Sequence, residues 1–414
     1  MRIAMTVSNN VIDDVRVIKE AKVLVGLGHE VYIFGNDKEE NEFVIDEINV
    51  INSKYPMIKR LAKKSKSKIV QDGNTTKEIN QNKVKFIQTM KTKLMDVLKG
   101  FAIILIIETT QSRIFKKLRK TGLAFDYIHC HDLDTLGVGV KYKNINKCKL
   151  VYDSHELWTE MSGINKYVKK RYSRKEKKYL YGVDYLITVS PSIIRELNSR
   201  YEINIPAVLL RNIPSYDATK LAAIPDDRKV KLLYIGYFIK GRGIENIIDQ
   251  AVRFPNNTEL TLIVQNEREI LDELNRRVND KNLNNKVRIT TFVPQNEVIN
   301  EISKFDIGLL PYLPVSLNNL YCLPNKLFQY LSAGVCIVAN SLPDVKNIID
   351  KYECGVTYDG SETLVNIIKE LSSNKKKLYQ YKKNSLRAID LELNWETEKE
   401  SLISVYEECK KNEE

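Results

Sequence analysis

The chain has 414 residues, 43% of them hydrophobic and 29% charged, with 65 Lys and Arg against 53 Asp and Glu. This excludes a disordered, collagen-like or disulfide-scaffold protein and points to two domains, because single cores stop growing well below this length. The net charge of +12 is local: the run from Lys54 to Lys93 holds twelve basic and two acidic residues, the run from Lys166 to Lys178 eight and one, and the remainder is net −5, which argues against a nucleic-acid-binding protein.

Residues 2–7 read as a short buried strand, followed by a polar loop at 8–14. A helix of amphipathic spacing runs over 15–27, with Asp13 or Asp14 as its cap and Gly28 as its stop. Residues 30–35 form a second strand, completing a β-α-β opening. Residues 52–120 are the least orderly part, with one or two helices and a mobile loop near Asp72-Gly73-Asn74. The apolar stretch 101–107 ends at Glu108, and seven residues fall short of the roughly 20 that span a bilayer. The start, Met1-Arg2-Ile3-Ala4-Met5, lacks the pattern of a signal peptide. Strands follow near 127–130, 149–152 and 185–189.

Pro206, Pro214 and Pro225 break the pattern and suggest an interdomain hinge. A second alternating series then begins, with strands at 231–235, 260–264, 287–290, 307–310 and 335–339. Helices lie between them, then at 361–372 and 375–390, with a last one over 395–410. Two doubly wound α/β units in tandem are the physical reading. The six cysteines at 130, 148, 322, 336, 354 and 409 show no C-x-x-C spacing, which suggests reduced thiols in a cytosolic protein.

Three stretches carry chemistry. In the first, Gly236, Gly241 and Gly243 follow a strand and precede a helix, so backbone amides face an anion beside Lys240 and Arg242. In the second, Pro324-Asn325-Lys326 opens a helix, and Lys326 stands in its first turn, where the helix dipole disfavours a cation unless an anion is bound. Gln329 lies one turn on. In the third, His155 follows one strand in Tyr152-Asp153-Ser154-His155-Glu156-Leu157 and His131-Asp132 follows another. Two of only four histidines thus take equivalent sheet-edge places. No spacing supports a metal site.

In this order, these motifs resemble the retaining glycosyltransferases of the GT-B fold, glycosyltransferase family 4. The likeness covers nearly the whole chain and includes Asp14-Val15-Arg16-Val17-Ile18-Lys19-Glu20-Ala21, His129-Cys130-His131-Asp132, Arg211-Asn212-Ile213-Pro214 and Leu323-Pro324-Asn325-Lys326-Leu327-Phe328-Gln329-Tyr330. The resemblance implies an α/β GT-B architecture, two Rossmann-like doubly wound parallel-sheet domains facing across a cleft. The N-terminal acceptor domain would span 1–205, joined by the C-terminal helix 395–414, and the donor domain 206–394. Arg242 and Lys326 would clamp the diphosphate of a nucleotide-sugar, most simply a UDP-sugar, without a metal or other cofactor. Gly236, Lys240, Gly241 and Asn325 would line the donor site, Gln329 would bond the ribose, and the backbone at Val293 and Pro294 would meet the base. His155 would line the reaction centre; Asn9, Asn10, Asp14, Arg16 and His131 would approach the acceptor, a glycan or a lipid- or protein-linked sugar of surface polysaccharide or glycoconjugate synthesis.

The family's E-x7-E motif is changed, with Tyr321 and Gln329 where it has glutamates, and Tyr237 stands where it has an arginine after the strand glycine. A non-catalytic partner subunit and a UDP-sugar epimerase are the competing readings. The run from Lys54 to Lys93 leads into an amphipathic stretch and suggests an anionic membrane surface as partner, at the inner face of the cell membrane, for an otherwise cytoplasmic protein.

Overall fold

The computed structural model describes residues 1–56, 81–214, 221, 224–225, 227–239 and 243–407, with the backbone alone at 81–89 and 91. The chain divides into two compact units. The first comprises Met1–Thr188, Ile194–Val208 and the chain from Leu402; the second comprises Val189–Ile193 and Leu209–Ser401.

The first unit is built on an eight-stranded sheet. Its strands are β1 (Arg2–Thr6), β2 (Glu30–Asp37), β3 (Asn41–Ile45), β4 (Ile48–Lys54), β5 (Tyr127–His131), β6 (Lys149–Ser154), β7 (Tyr185–Thr188) and β8 (Ala207–Leu209). They lie in the order β3-β4-β2-β1-β5-β6-β7-β8. The β1-β2, β1-β5 and β5-β6 pairs are parallel, so the loops after β1, β5 and β6 emerge at one edge. Ligands gather at that edge in such sheets. Asp14 caps the helix Val15–Gly26 through a bond from Val17 N, as its position before the apolar spacing suggests.

The β3-β4 hairpin is an addition to the elements expected from the sequence. It is antiparallel, and its two-residue turn places Asp46 and Glu47 at φ 48° and 64°. That turn normally announces itself with Asn-Gly or Asp-Gly. An Asp-Glu turn carries no such signal, so no element was expected between residues 36 and 51.

The second unit holds a six-stranded, all-parallel sheet. Its strands are β9 (Val230–Ile235), β10 (Thr258–Val264), β11 (Val287–Thr291), β12 (Ile307–Leu310), β13 (Cys336–Asn340) and β14 (Gly355–Tyr358), in the order β11-β10-β9-β12-β13-β14. Successive residues of β9 serve two cores: Leu232 and Tyr234 pack on one face, Leu233 and Ile235 on the other. A sheet covered on both faces reads as continuous apolar runs, which is why these strands were visible in the sequence. The edge strand β14 was not expected, since its four residues, Gly355 to Tyr358, are too short a run to stand out from the loop around them.

Of the one or two helices expected before β5, the structure shows one, a helix of 40 residues over Gln81–Lys120. The loop expected near Asp72-Gly73-Asn74 lies outside the described residues. Among the described residues, no helix is long and apolar enough to cross a membrane.

Candidate functional site

The carboxyl edge of the second sheet carries a cleft of about 350 Å³. It is lined by Gly236 and Tyr237 after β9, Phe292 and Val293 after β11, and Asn325, Lys326 and Gln329 from the helix Asn325–Ser332. Five of the residues singled out in the sequence therefore share one wall: Gly236, Val293, Asn325, Lys326 and Gln329. Pro294 stands at the start of the turn Gln295–Glu297 beside it. Lys240, Gly241 and Arg242 lie outside the described residues.

Two close approaches shape the cleft. Gly236 has φ 148°, and a Cβ there would lie 1.9 Å from Lys326 Cε and 2.5 Å from its Nζ. The bare glycine lets the lysine lie across the end of β9. Lys326 Nζ donates to the Tyr312 hydroxyl at 3.1 Å. Gly243, at φ 98°, caps the helix Ile244–Ala251, and a Cβ there would meet the Pro311 carbonyl at 2.2 Å. Gln265 holds the strand-to-helix loop from β10: Phe238 N donates to its Oε1 at 2.7 Å, and its Nε2 donates to Phe238 O at 3.2 Å.

Sequence reasoning missed one feature of this cleft. Tyr237, 63% exposed, and Phe292, 38% exposed, form an edge-to-face pair with ring centroids 5.1 Å apart. An exposed aromatic pair at a cleft offers a stacking face for a planar base. The two residues belong to different strand ends, so no local motif marks them.

In the first unit, His131, Asp132, Asp153 and His155 gather where β5 and β6 end, beside Arg16 from the first helix. The Arg16 guanidinium donates through Nη2 to both oxygens of Asp153, at 2.8 and 2.9 Å, and its Nε lies 2.9 Å from Glu20. All three are buried. His155 Nε2 is 3.2 Å from Asp153, and its Nδ1 is 3.4 Å from Asp132. His131 pairs in register with Asp153 across β5 and β6, with Nδ1 3.3 Å from its carboxylate. Two residues earlier on the same face, His129 stacks on His131 with centroids 4.4 Å apart and shares a 2.8 Å hydrogen bond with the Tyr406 hydroxyl. Asp132 sits at φ 61°, a strained place for a residue with a Cβ, and accepts from His155 N.

Burial and neighbouring charge divide these groups. Burial works against an ionised Asp153, but Arg16 and His155 outweigh it and hold the carboxyl well below its ordinary range. Burial, then the Asp153 charge, push Glu20 up to about 8. Burial pushes Asp132 up to about 7. Burial opposes a charged His155, yet Asp132 and Asp153 raise it to about 9, so it is an imidazolium at neutral pH. Burial and the His129 neighbour lower His131 to about 3, leaving it neutral.

The remaining acceptor-side candidates are tied into local structure. Asn10 caps the short turn Val11–Asp13, Asp14 caps the first helix, and Asn9 Nδ2 donates to Asp14 at 3.0 Å. Ligand atoms of Glu20, His129, His131 and Asp153 lie within 4.8 Å of one another, a grouping that spacing alone did not suggest. Arg16 already supplies positive charge to both carboxylates, so the donor set does not suit a further cation.

Residues 97–212 match the glycosyltransferase family 4 model, and residues 219–387 match the glycosyl transferases group 1 model. The chain belongs to the GT4-type glycosyltransferases. No curated protein matches this glycosyltransferase in sequence. Among solved structures it is similar to sucrose-phosphate synthase from Thermosynechococcus elongatus, with 14% identity, TM-score 0.72 and 99% of each chain covered. It is also similar to Anabaena HepE in complex with UDP-glucose, with 13% identity, TM-score 0.63, 99% of this chain and 100% of that one. Starch synthase IV from Arabidopsis thaliana, bound to ADP and acarbose, matches with 13% identity, TM-score 0.63 and 98% of each chain. These likenesses show the GT-B fold. Within it, Gln329 lines the cleft, while the Tyr321 carbonyl accepts from the Ser190 hydroxyl at 2.7 Å.

Proposed function

We propose that this glycosyltransferase is a retaining enzyme that moves the sugar of a UDP-sugar to a glycan or a lipid- or protein-linked acceptor in surface polysaccharide or glycoconjugate synthesis. The observation that carries the reading is the cleft in which Lys326 crosses bare Gly236 beside Asn325 and Gln329. A diphosphate seated there relieves the conflict of a lysine in the first turn of a helix, because the anion answers both the ammonium and the helix dipole. In transfer, the bond from the anomeric carbon to the β-phosphate oxygen breaks with its electron pair staying on UDP, an acceptor hydroxyl oxygen forms the new bond to that carbon, and the hydroxyl proton passes to the departing phosphate oxygen. Lys326, with Arg242, stabilises that developing charge, a role in which such groups contribute several kcal/mol. The Gln329 amide bonds the ribose hydroxyls, and Tyr237 with Phe292 offers the base an aromatic face.

His155 is assigned to the reaction as a fixed imidazolium. With Asp153 and Asp132 holding its two ring nitrogens, it acts by charge and position. Arg16 and His131 set that position; Asn9, Asn10 and Asp14 shape the acceptor loop. Charge stabilisation is assigned to side chains, so turnover is expected to survive chelation by EDTA. The UDP assignment is supported by the HepE complexes with UDP and UDP-glucose, and the ADP complex of starch synthase IV makes ADP-sugars the main competitor. The run from Lys54 to Lys93 supports a peripheral place at the inner face of the cell membrane.

A thermal-shift panel of UDP-, GDP- and ADP-sugars tests the donor. A ligand at a hundred times its Kd stabilises by about 2.7 kcal/mol. UDP-sugars are expected to raise Tm most; a larger shift with another base, or none with any, contradicts the reading.

A further inference from the structure

The helix Gln81–Lys120 is apolar on two opposite sides. Its later turns bury Ile107, Ile114 and Leu118 in the first unit. At 3.6 residues per turn, Met90, Leu94, Leu98, Phe101 and Leu105 fall on the other side, within an arc of roughly 80°. Those five side chains are 50–62% exposed. The same outward side continues as Glu108, Ser112, Lys116 and Arg119, the polar face that a surface helix ordinarily shows. The apolar stripe is therefore a local feature of the earlier turns, and a contiguous exposed patch of this kind marks an interaction surface.

Beside the stripe runs the basic helix Lys166–Leu180. The two helices pinch together at Gly100, where a Cβ would lie 2.6 Å from Asn165 Oδ1 and 3.0 Å from Tyr167 Cβ. Asn165 donates to the Asp96 carbonyl at 2.8 Å and caps the basic helix at Tyr167 N. Between the helices lies an open cleft of about 750 Å³. Phe101 and Leu105 form its apolar wall; Lys170, Arg171, Arg174 and Lys175 form its rim against the single carboxylate Glu108. Glu108 accepts from Arg171 at 2.6 Å and from Lys175 at 2.9 Å, which fixes those two cations, while Lys170 and Arg174 are exposed.

We infer that this face, the apolar stripe of the helix Gln81–Lys120 with the cationic rim of the helix Lys166–Leu180, docks the enzyme on an anionic lipid bilayer. The stripe enters the acyl boundary and the rim meets the headgroups. Charge decides the occupant: a second copy seated on the stripe would bring two cationic rims together, whereas a layer of lipid phosphates complements one. The inference rests on the peripheral place proposed above. It moves the headgroup contact to the second basic run, which chain order separates from the stripe and the fold brings beside it.

The test uses the full chain and sedimentation with phosphatidylcholine vesicles, with and without phosphatidylglycerol, at low and high salt. Wild type is expected to bind the anionic vesicles at least about tenfold better than neutral ones, and to release at high salt. Two double variants, Leu98→Glu with Phe101→Glu and Lys170→Glu with Arg174→Glu, are each expected to lose about tenfold in anionic-vesicle binding while keeping Tm and the UDP-induced thermal shift. Equal binding to neutral and anionic vesicles, or wild-type binding by both variants, overturns the inference. So does a stable wild-type dimer in sedimentation velocity that the Leu98→Glu, Phe101→Glu variant splits. A wild type that binds anionic vesicles but shows no UDP shift would sink the donor reading and leave this one standing.

Discussion

Arg16 is the residue around which the first unit's polar cluster is arranged. Its charge is buried, so its partners are not interchangeable: Asp153 takes the Nη2 contact on both oxygens and the ionised state, and Glu20, next to both, keeps a proton. Removing one partner of a buried pair costs about 3–5 kcal/mol because the other is stranded. Asp153→Asn is therefore expected to lose that amount in urea unfolding at pH 7. Glu20→Gln mimics the protonated form and is expected to change stability by less than about 1 kcal/mol there.

His155 near 9, Glu20 near 8 and Asp132 near 7 all lie above their ordinary values of 6.5, 4.5 and 3.8. Each holds a proton in the folded chain that the unfolded chain has released. Their contributions are complete below the ordinary values and disappear as pH rises through the folded ones. Asp153, depressed, does the reverse and loses its contribution on acidification. Unfolding free energy is expected to fall between pH 7 and 9, and less steeply up to pH 8 in Glu20→Gln; an identical profile in that variant contradicts the assignment. In the second unit, Gly236→Ala sets a methyl against Lys326. It is expected to weaken UDP binding by at least about tenfold, measured by titration calorimetry, because displacing the clamp loses an interaction made to a charged group.

At the scale of elements, what was legible followed from periodicity and local motifs. The strands β9, β12 and β13 are largely apolar runs, and the helix Asn325–Ser332 carries Asn325 and Lys326 in its first turn and Gln329 one turn on, so its share of the cleft could be read from spacing. Juxtapositions across the chain could not. His129 meets Tyr406 from 277 residues away, and Tyr237 meets Phe292 only because β9 and β11 flank β10. Arg16 did carry a signal, since a buried arginine demands carboxylates and Glu20 stands one helical turn on, but its burial was not evident from the sequence. Gly100 lies within a 40-residue helix at a cost of roughly 1 kcal/mol relative to alanine. Its place at the crossing with Asn165 and Tyr167 supplies the reason. Gly100→Leu is expected to lower Tm despite its better helix propensity; a rise in Tm would show that the two helices do not need the close approach.

For the whole molecule, the charge of +12 resolves into uses. The basic helix Lys166–Leu180 and its neighbouring apolar stripe belong to the first unit, whereas Lys326 and the cleft it lines belong to the second. The two family matches divide the chain similarly, residues 97–212 and 219–387. We propose that the second unit binds the nucleotide and that Lys326 does so by clamping the diphosphate. Titration of UDP into wild type and Lys326→Ala at neutral pH tests it most directly. The variant is expected to keep its Tm and lose at least about tenfold in affinity, the weight of a charge-assisted contact to phosphate. Equal affinity for UDP in the two proteins would contradict it.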